Sequence, residues 1–233
     1  QVTLADHSTW KARRVGIVGL GTGVTAGAVG LFEGVESIDI VELEPAVRGA
    51  AAFFDRDNWG ILRDPRARIF INDGRSFFES RKGTYDLIIS EPSNPWFAGI
   101  GSVFSREFYE LAANRLKPGG IMVQWFHIYE MHDGIVEMVL RTFSSVFPAM
   151  EIWDTNEGDI VFRGSDRPWK LTLECLRRAY TNENVRKDME SIGLNTPEAL
   201  LARLFASQRT APCIAGPGPI QTDGFPVLEY EAP

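Results

Sequence analysis

The strongest constraint on this chain is a repeated order: a short apolar run, a turn rich in glycine or opened by proline, a helical pattern, then the next apolar run. Residues 14–20 (RVGIVGL) are apolar and end in glycines, which predicts a buried strand. Residues 24–32 continue as a helix of small and apolar residues. Residues 37–42 (SIDIVE) form a second strand, and Pro45 opens a helix over 46–54. Residues 67–72 are a third strand closed by Asp73-Gly74, and 85–90 (YDLIIS) a fourth. A helix over 106–116 is stopped by Lys117-Pro118-Gly119-Gly120, and a fifth strand covers 121–126. An amphipathic helix over 134–147 ends at Pro148, and 151–153 with 159–162 form a closing antiparallel pair. Strands alternating with helices predict an α/β fold with a mostly parallel sheet covered on both faces.

The last third reads differently. Residues 169–180, 185–192 and 196–205 predict helices, and 206–233 are rich in Gly and Pro and irregular. The expected organisation is a nucleotide-binding domain over 1–165, with 166–233 a helical and irregular elaboration packed on it. A length of 233 residues suits one large α/β domain. The net charge of -7 argues against a nucleic-acid partner and suits a small cationic substrate. Cys175 and Cys213 make no disulfide framework and no C-x-x-C pair, which predicts reduced thiols and a cytoplasmic location. No apolar run is long enough to span a membrane and no signal-peptide pattern is present. The chain begins with Gln1, so it is expected to be a trimmed chain or a piece of a longer protein.

In parallel sheets ligands sit beyond the carboxyl ends of the strands. That rule selects Gly19, Gly21 and Gly23, Glu42, Asp73 and Glu91. The glycine loop reads G-x-G-x-G, with Val24 where a dinucleotide fingerprint has its third glycine. The spacing favours a ligand without a pyrophosphate and leaves a dinucleotide open. Glu42 at a strand end can accept hydrogen bonds from both ribose hydroxyls; the alternative is a solvent-facing carboxylate, with Glu44 a rival for the role. Asp73, before Gly74, can read an adenine amino group or simply mark a turn. After the fourth strand, Glu91-Pro92-Ser93-Asn94-Pro95-Trp96-Phe97 is stiffened by its prolines. Glu91 can take a proton from an attacking amine and Asn94 can hold that amine; otherwise the loop is rigid and its aromatics cap the core. Gln124, on the strand beside that of Glu91, is a substrate-binding candidate with Trp96. His127, Glu130, His132 and Asp133 lack metal-ligand spacing, so no metal is expected. His127 is left as a second proton acceptor.

On these residues the stretch 14–162 resembles the catalytic domain of the spermidine/spermine synthase family, the polyamine aminopropyltransferases. The matching pieces are VGIVGLGTG, DIVELEP, INDGR, YDLIISEPSNPW and LKPGGIMVQW. QTDGFPVLEY is similar to the tail segment of bacterial synthase-like proteins, often fused to membrane segments. The resemblance implies a methyltransferase-like Rossmann sandwich with a seven-stranded sheet and, as donor, S-adenosylmethionine or its decarboxylated form. It implies that Gly19, Gly21 and Gly23 line the methionine part, that Glu42 holds the ribose, and that Asp73 with Gly74 lies near the adenine. The family string D-S-S-D-P, whose first acid is implicated in catalysis and second in gripping the amine, stands here as Glu91-Pro92-Ser93-Asn94-Pro95. The first acid is longer by one methylene and the second has lost its charge. The β-rich N-terminal lid of the synthases is missing or lies outside this chain. Asn94-Pro95-Trp96-Phe97 also resembles the N-P-P-[YF] motif of amino-methylating enzymes.

The expected function is aminopropyl transfer to a small-molecule amine. The alternatives are an S-adenosylmethionine-dependent methyltransferase and a nucleotide-binding sensor without turnover. A homodimer and a place as the soluble part of a longer membrane-anchored protein stay open.

Overall fold

The computed structural model describes residues 12–94, 99–129, 131–156 and 158–231. At its centre lies β1 (Arg14–Val18), flanked in parallel by β2 (Ser37–Glu42) and β4 (Tyr85–Ser90). Parallel pairing continues outward to β3 (Ala67–Ile71) on one side and β5 (Leu116–His127) on the other. Beyond β5 come β7 (Asp159–Ser165) and β6 (Ala149–Asn156), both antiparallel to their neighbours, and a short edge strand β8 (Leu204–Ala206). The order is β3-β2-β1-β4-β5-β7-β6-β8.

Alternation along the strands divides the interior into two cores. Val15, Ile17, Leu87, Ile89 and Val123 face α1 (Val24–Gly30) and α2 (Pro45–Ala51). On the opposite face Val18, Val41, Ile88 and Met122 pack with phenylalanines of α3 (Gly74–Ser80), α4 (Arg106–Arg115) and α5 (Asp133–Ser144). The first face is extended by α6 (Leu173–Tyr180), α7 (Glu183–Ser191) and α8 (Pro197–Leu201). On the second, α9 (Ala211–Ala215) and α10 (Leu228–Glu231) add Ala211, Ala215 and Leu228 to the core.

The fold is the expected methyltransferase-like sandwich, and the differences are local. An eighth strand joins the expected seven: the helix expected over 196–205 stops at Leu201, and β8 pairs with β6 through Ala206 opposite Ile152. Asp73-Gly74 does more than close a strand. Asp73 accepts a hydrogen bond from Ser76 N at 2.8 Å and so caps α3, a helix the turn-like dipeptide conceals. Lys117-Pro118-Gly119-Gly120 lies inside β5 rather than before it. The strand bulges between Leu116, opposite Tyr85, and Ile121, opposite Leu87, and Gly119 takes φ +76 to make the bend. The helix expected from Trp169 begins at Leu173, with Thr172 as its cap.

Candidate functional site

The strand order turns back between β1 and β4, and the crevice above their carboxyl ends is where such a sheet binds ligands. Three segments meet there. The loop after β1 is tied down by Gly19 N donating to Val41 O (2.8 Å), and Glu91 N donates to Val18 O (2.9 Å). The third segment is the end of β2. The nine-tenths buried carboxylate of Glu42 accepts from Leu20 N and from Glu44 N, both at 2.9 Å. Each oxygen retains a lone pair for a further donor. Glu44 is otherwise engaged, accepting from Ala46 N at 3.1 Å as the cap of α2.

The three loop glycines are glycine for different reasons. A Cβ on Gly19 (φ +92) would lie 2.3 Å from the Glu91 carbonyl oxygen, so this residue lets two strand ends approach. A Cβ on Gly23 (φ +83) would press on Asn58 at 3.2 Å. Gly21 (φ +51) faces open space: a Cβ there would meet nothing within 4 Å beyond its own chain neighbours. It is the glycine whose backbone is presented outward. Asn58, fully buried, holds the loop from below: its Nδ2 donates to Thr22 O and to Ala51 O, both at 2.9 Å. Asp73, at the end of β3, is half-buried and keeps its cap bond; a Cβ on Gly74 would lie 2.8 Å from Val18 Cγ1, which packs α3 tightly on β1.

Glu91 is the hinge of the arrangement. Its Oε2 accepts a 2.5 Å hydrogen bond from the Thr25 hydroxyl, in the first turn of α1. The carboxylate keeps a solvent-facing edge, yet protein encloses it on most sides. That desolvation pushes its pKa above the ordinary carboxylate range, against the opposing Thr25 bond. Beyond it opens a cavity of about 300 Å³. Its floor runs across the sheet from Ile89 on β4 and Glu91 just after it, over Val123 and Trp125 on β5 and Val161 on β7, to Trp153–Thr155 on β6. Met189 and Ile192 from the α7 region, Leu194, and Leu200 of α8 form the roof. The far end is braced by ion pairs. Arg163, buried, donates to Glu151 Oε2 (2.8 and 3.0 Å) between the rings of Trp153 and Trp169, and Arg203 pairs with Asp154 at 3.2 Å.

The structure thus brings Gly19, Gly21, Gly23, Glu42 and Glu91 to one crevice, with Asp73 and Gly74 at the neighbouring strand end. Asn94 is half-buried three positions after Glu91, and Trp96 lies outside the described residues. Gln124 is placed differently from a substrate ligand: fully buried, it donates to Ser90 O (3.2 Å) and Trp125 O (2.9 Å) and sits beneath the cavity rather than on its wall. His127 pairs through Nδ1 with the Asp159 carboxylate and stacks edge-on against Trp125. Among the described residues no group of three could hold a metal ion, and no helix is long and apolar enough to cross a membrane.

Thr25, Asn58, Trp125 and Trp153 belong to the site and carry no motif signal of their own. Only the place of Thr25 just after the glycine loop could have marked it. The tail supports the same region: the Glu229 carboxylate accepts from Gly99 N at 3.0 Å, and Asp223 pairs with Arg75 of α3 at 2.5 Å.

Comparison with known proteins agrees with this geometry. The chain is 34% identical over 148 residues to a polyamine aminopropyltransferase of Alkaliphilus oremlandii, covering 63% of this chain and 52% of that protein. It is 29% identical over 136 residues to putrescine N-methyltransferase 1 of Nicotiana tabacum, covering 58% of this chain and 36% of that one. The chain spans about half the length of the curated aminopropyltransferases it matches. In fold it is similar to spermidine synthase from Thermotoga maritima (TM-score 0.67, 22% identity, 88% of this chain and 69% of that one). It is also similar to human methyltransferase-like protein 13 in complex with SAH (TM-score 0.59, 19% identity, 76% of this chain and 82% of that one). The Spermine/spermidine synthase domain model matches residues 2–155, and with that match over most of its length the chain belongs to the spermine/spermidine synthase family.

Proposed function

We propose that this chain transfers an aminopropyl group from decarboxylated S-adenosylmethionine to an amine. The observation that carries the reading is Glu91: one partly desolvated carboxylate stands between the glycine-loop crevice and the cavity, where donor and acceptor would meet. The outward backbone at Gly21 receives the donor's methionine-derived chain, the Glu42 carboxylate receives the ribose hydroxyls, and Asp73 with Gly74 borders the adenine. The amine nitrogen attacks the carbon beside the sulfonium. A C–N bond forms, the C–S bond breaks, its electron pair neutralises the sulfur, and methylthioadenosine leaves. The proton lost by the amine passes to Glu91, whose raised pKa makes it a better acceptor than an ordinary carboxylate. Asn94 orients the amine. Gln124 acts one layer down, fixing Ser90 and so the strand end that carries Glu91. The protein's main contribution is alignment, since the sulfonium already activates the carbon.

Methyl transfer by the same pocket is the second reading, favoured by the likeness to a putrescine N-methyltransferase. Calorimetry with decarboxylated and intact S-adenosylmethionine, followed by product analysis, separates the two. Tighter binding of the decarboxylated donor and release of methylthioadenosine support aminopropyl transfer. Preference for the intact donor with S-adenosylhomocysteine as product overturns it.

A further inference from the structure

We infer that Thr25 is a positioning residue: its hydroxyl aims the Glu91 carboxylate, holding one oxygen toward α1 and leaving the other to take the amine's proton. The inference rests on the reading of Glu91 as the proton acceptor and goes beyond it, since that reading does not say what fixes the acid. The backbone of Glu91 is held on both sides. Its N–H donates to Val18 O at 2.9 Å, its carbonyl oxygen abuts Gly19, where a Cβ would lie 2.3 Å away, and the stiff Pro92 follows. The side chain beyond that backbone has one more rotatable bond than an aspartate would have, so its carboxylate needs fixing at the far end. Among the described residues that hold comes from Thr25, whose Oγ1 donates to Glu91 Oε2 at 2.5 Å.

Thr25 has a fixed base of its own. It stands in the first turn of α1, and that helix is pressed onto the Asn58 segment, where a Cβ on Gly27 would lie 2.2 Å from Asn58 O. Its branched Cβ narrows the rotamers from which the hydroxyl can donate. Thr25 and Glu91 both line the cavity, so the bonded pair stands in its wall. Oε2 already accepts the Thr25 proton, which leaves Oε1 as the better placed oxygen for a second donor. The bond also favours the charged carboxylate. Burial is the larger effect and raises the pKa, and Thr25 opposes it, so the hydroxyl keeps more of the acid ionised and able to accept. The helix that opens directly after the glycine loop thus aims the group proposed to receive the amine's proton. Other charged groups lie further off: Asp154, Arg163 and Arg203 at the β6–β7 end of the cavity, and Glu42 on β2 beyond β1. Substitution at Thr25 leaves all four in place.

The test uses the whole chain and substitutions at one position. Thr25→Val keeps the shape and removes the proton donor, Thr25→Ala removes it in a second way, and Thr25→Ser retains it. Turnover is read as methylthioadenosine released from decarboxylated S-adenosylmethionine, with putrescine as the probe amine. Valine and alanine should each lower kcat by about tenfold or more. They should leave the affinity for methylthioadenosine unchanged and move the acid limb of the kcat/KM profile to higher pH. Serine should recover most of the loss and the parent's profile. An NMR titration of protein carrying isotope-labelled glutamate carboxyls reads the acid without turnover, the Glu91 signal being the one that Glu91→Gln lacks. That signal should titrate at higher pH in Thr25→Val and Thr25→Ala than in the parent, and as the parent does in Thr25→Ser. An unshifted titration overturns the inference whatever happens to turnover, and so does a shifted one with full kcat or a loss that serine does not recover. If the titration shifts while even the parent releases no methylthioadenosine, the aiming of Glu91 by Thr25 stands and aminopropyl transfer to putrescine falls.

Discussion

The role proposed for Glu91 concentrates the chemistry in one side chain, and its burial leaves a thermodynamic trace. Its folded-state pKa is raised, so in the pH range between the ordinary carboxylate value and the raised one the folded protein holds more of a proton than the unfolded chain does. Stability therefore falls as pH rises from the ordinary carboxylate range through the raised value, and the full penalty is present above it. Glu91→Gln removes that penalty. The variant should be more resistant to denaturant at neutral pH and equal to the parent at acidic pH, while turnover drops by about 10²-fold or more. The parent's kcat/KM should fall on acidification at a higher pH than an ordinary carboxylate would produce. A variant of unchanged stability and activity contradicts both roles. The glycine loop supplies a second contrast. Gly19→Ala puts a methyl 2.3 Å from the Glu91 carbonyl at φ +92 and should lower both stability and turnover. A Cβ on Gly21 meets nothing within 4 Å beyond its chain neighbours, so Gly21→Val should keep the fold, at a cost of about 2 kcal/mol for a β-branched residue at φ +51, while abolishing nucleoside binding measured by calorimetry. The sequence alone treats these glycines alike, since what separates them is a carbonyl 72 residues away in the chain.

The elements that were legible in the sequence are those whose pattern is local. β2 and β4 have the expected bounds, and β1 starts where expected but ends at Val18, two residues early, because Gly19 already belongs to the turn; each is a short apolar run closed by a turn or a polar strand end. α3 was not legible, because Asp73-Gly74 reads as a turn and the helix behind it takes its stability from Phe77 and Phe78 packing across the sheet. Asp73 has an observed duty as the cap of α3 and a proposed one beside the nucleotide, and the two are separable. Asp73→Ala should lose the Ser76 cap, about 1 kcal/mol in a denaturation curve, whereas Asp73→Asn keeps it. If donor affinity falls in both variants while only the first loses stability, the carboxylate itself faces the nucleotide. Equal affinity in both confines Asp73 to capping. β5 shows the opposite difficulty: Pro118 and the two glycines after it look like a stop, yet a bulge absorbs them and pairing resumes at Ile121.

For the whole molecule, the last third is part of the same body rather than an appendage. Gln221 is fully buried, its N–H donating to Thr142 Oγ1 at 2.8 Å and its carbonyl accepting from Arg106 N at 3.0 Å. Trp59 Nε1 donates to Asp188 at 2.8 Å and Asn182 to Leu31 O at 3.0 Å, which fasten α7 and the turn before it to the N-terminal part of the sheet layer. Deleting 207–233 would strip Ala211, Ala215 and Leu228 from the main core and should abolish the cooperative thermal transition; a truncated chain that melts as sharply as the parent contradicts this account. The cavity was not legible in the sequence for the same reason. Its walls come from four strands and two distant helices, and no spacing along the chain records which side chains share a face. The crevice was legible because it is a property of strand ends. The most direct measurement is mass spectrometry of an amine incubated with decarboxylated S-adenosylmethionine and either the parent or Glu91→Gln. The account predicts aminopropylated amine and methylthioadenosine in equal amounts from the parent, with both lost in the variant while its affinity for methylthioadenosine is unchanged. An amine methylated only from intact S-adenosylmethionine, or full aminopropyl transfer by Glu91→Gln, would contradict it.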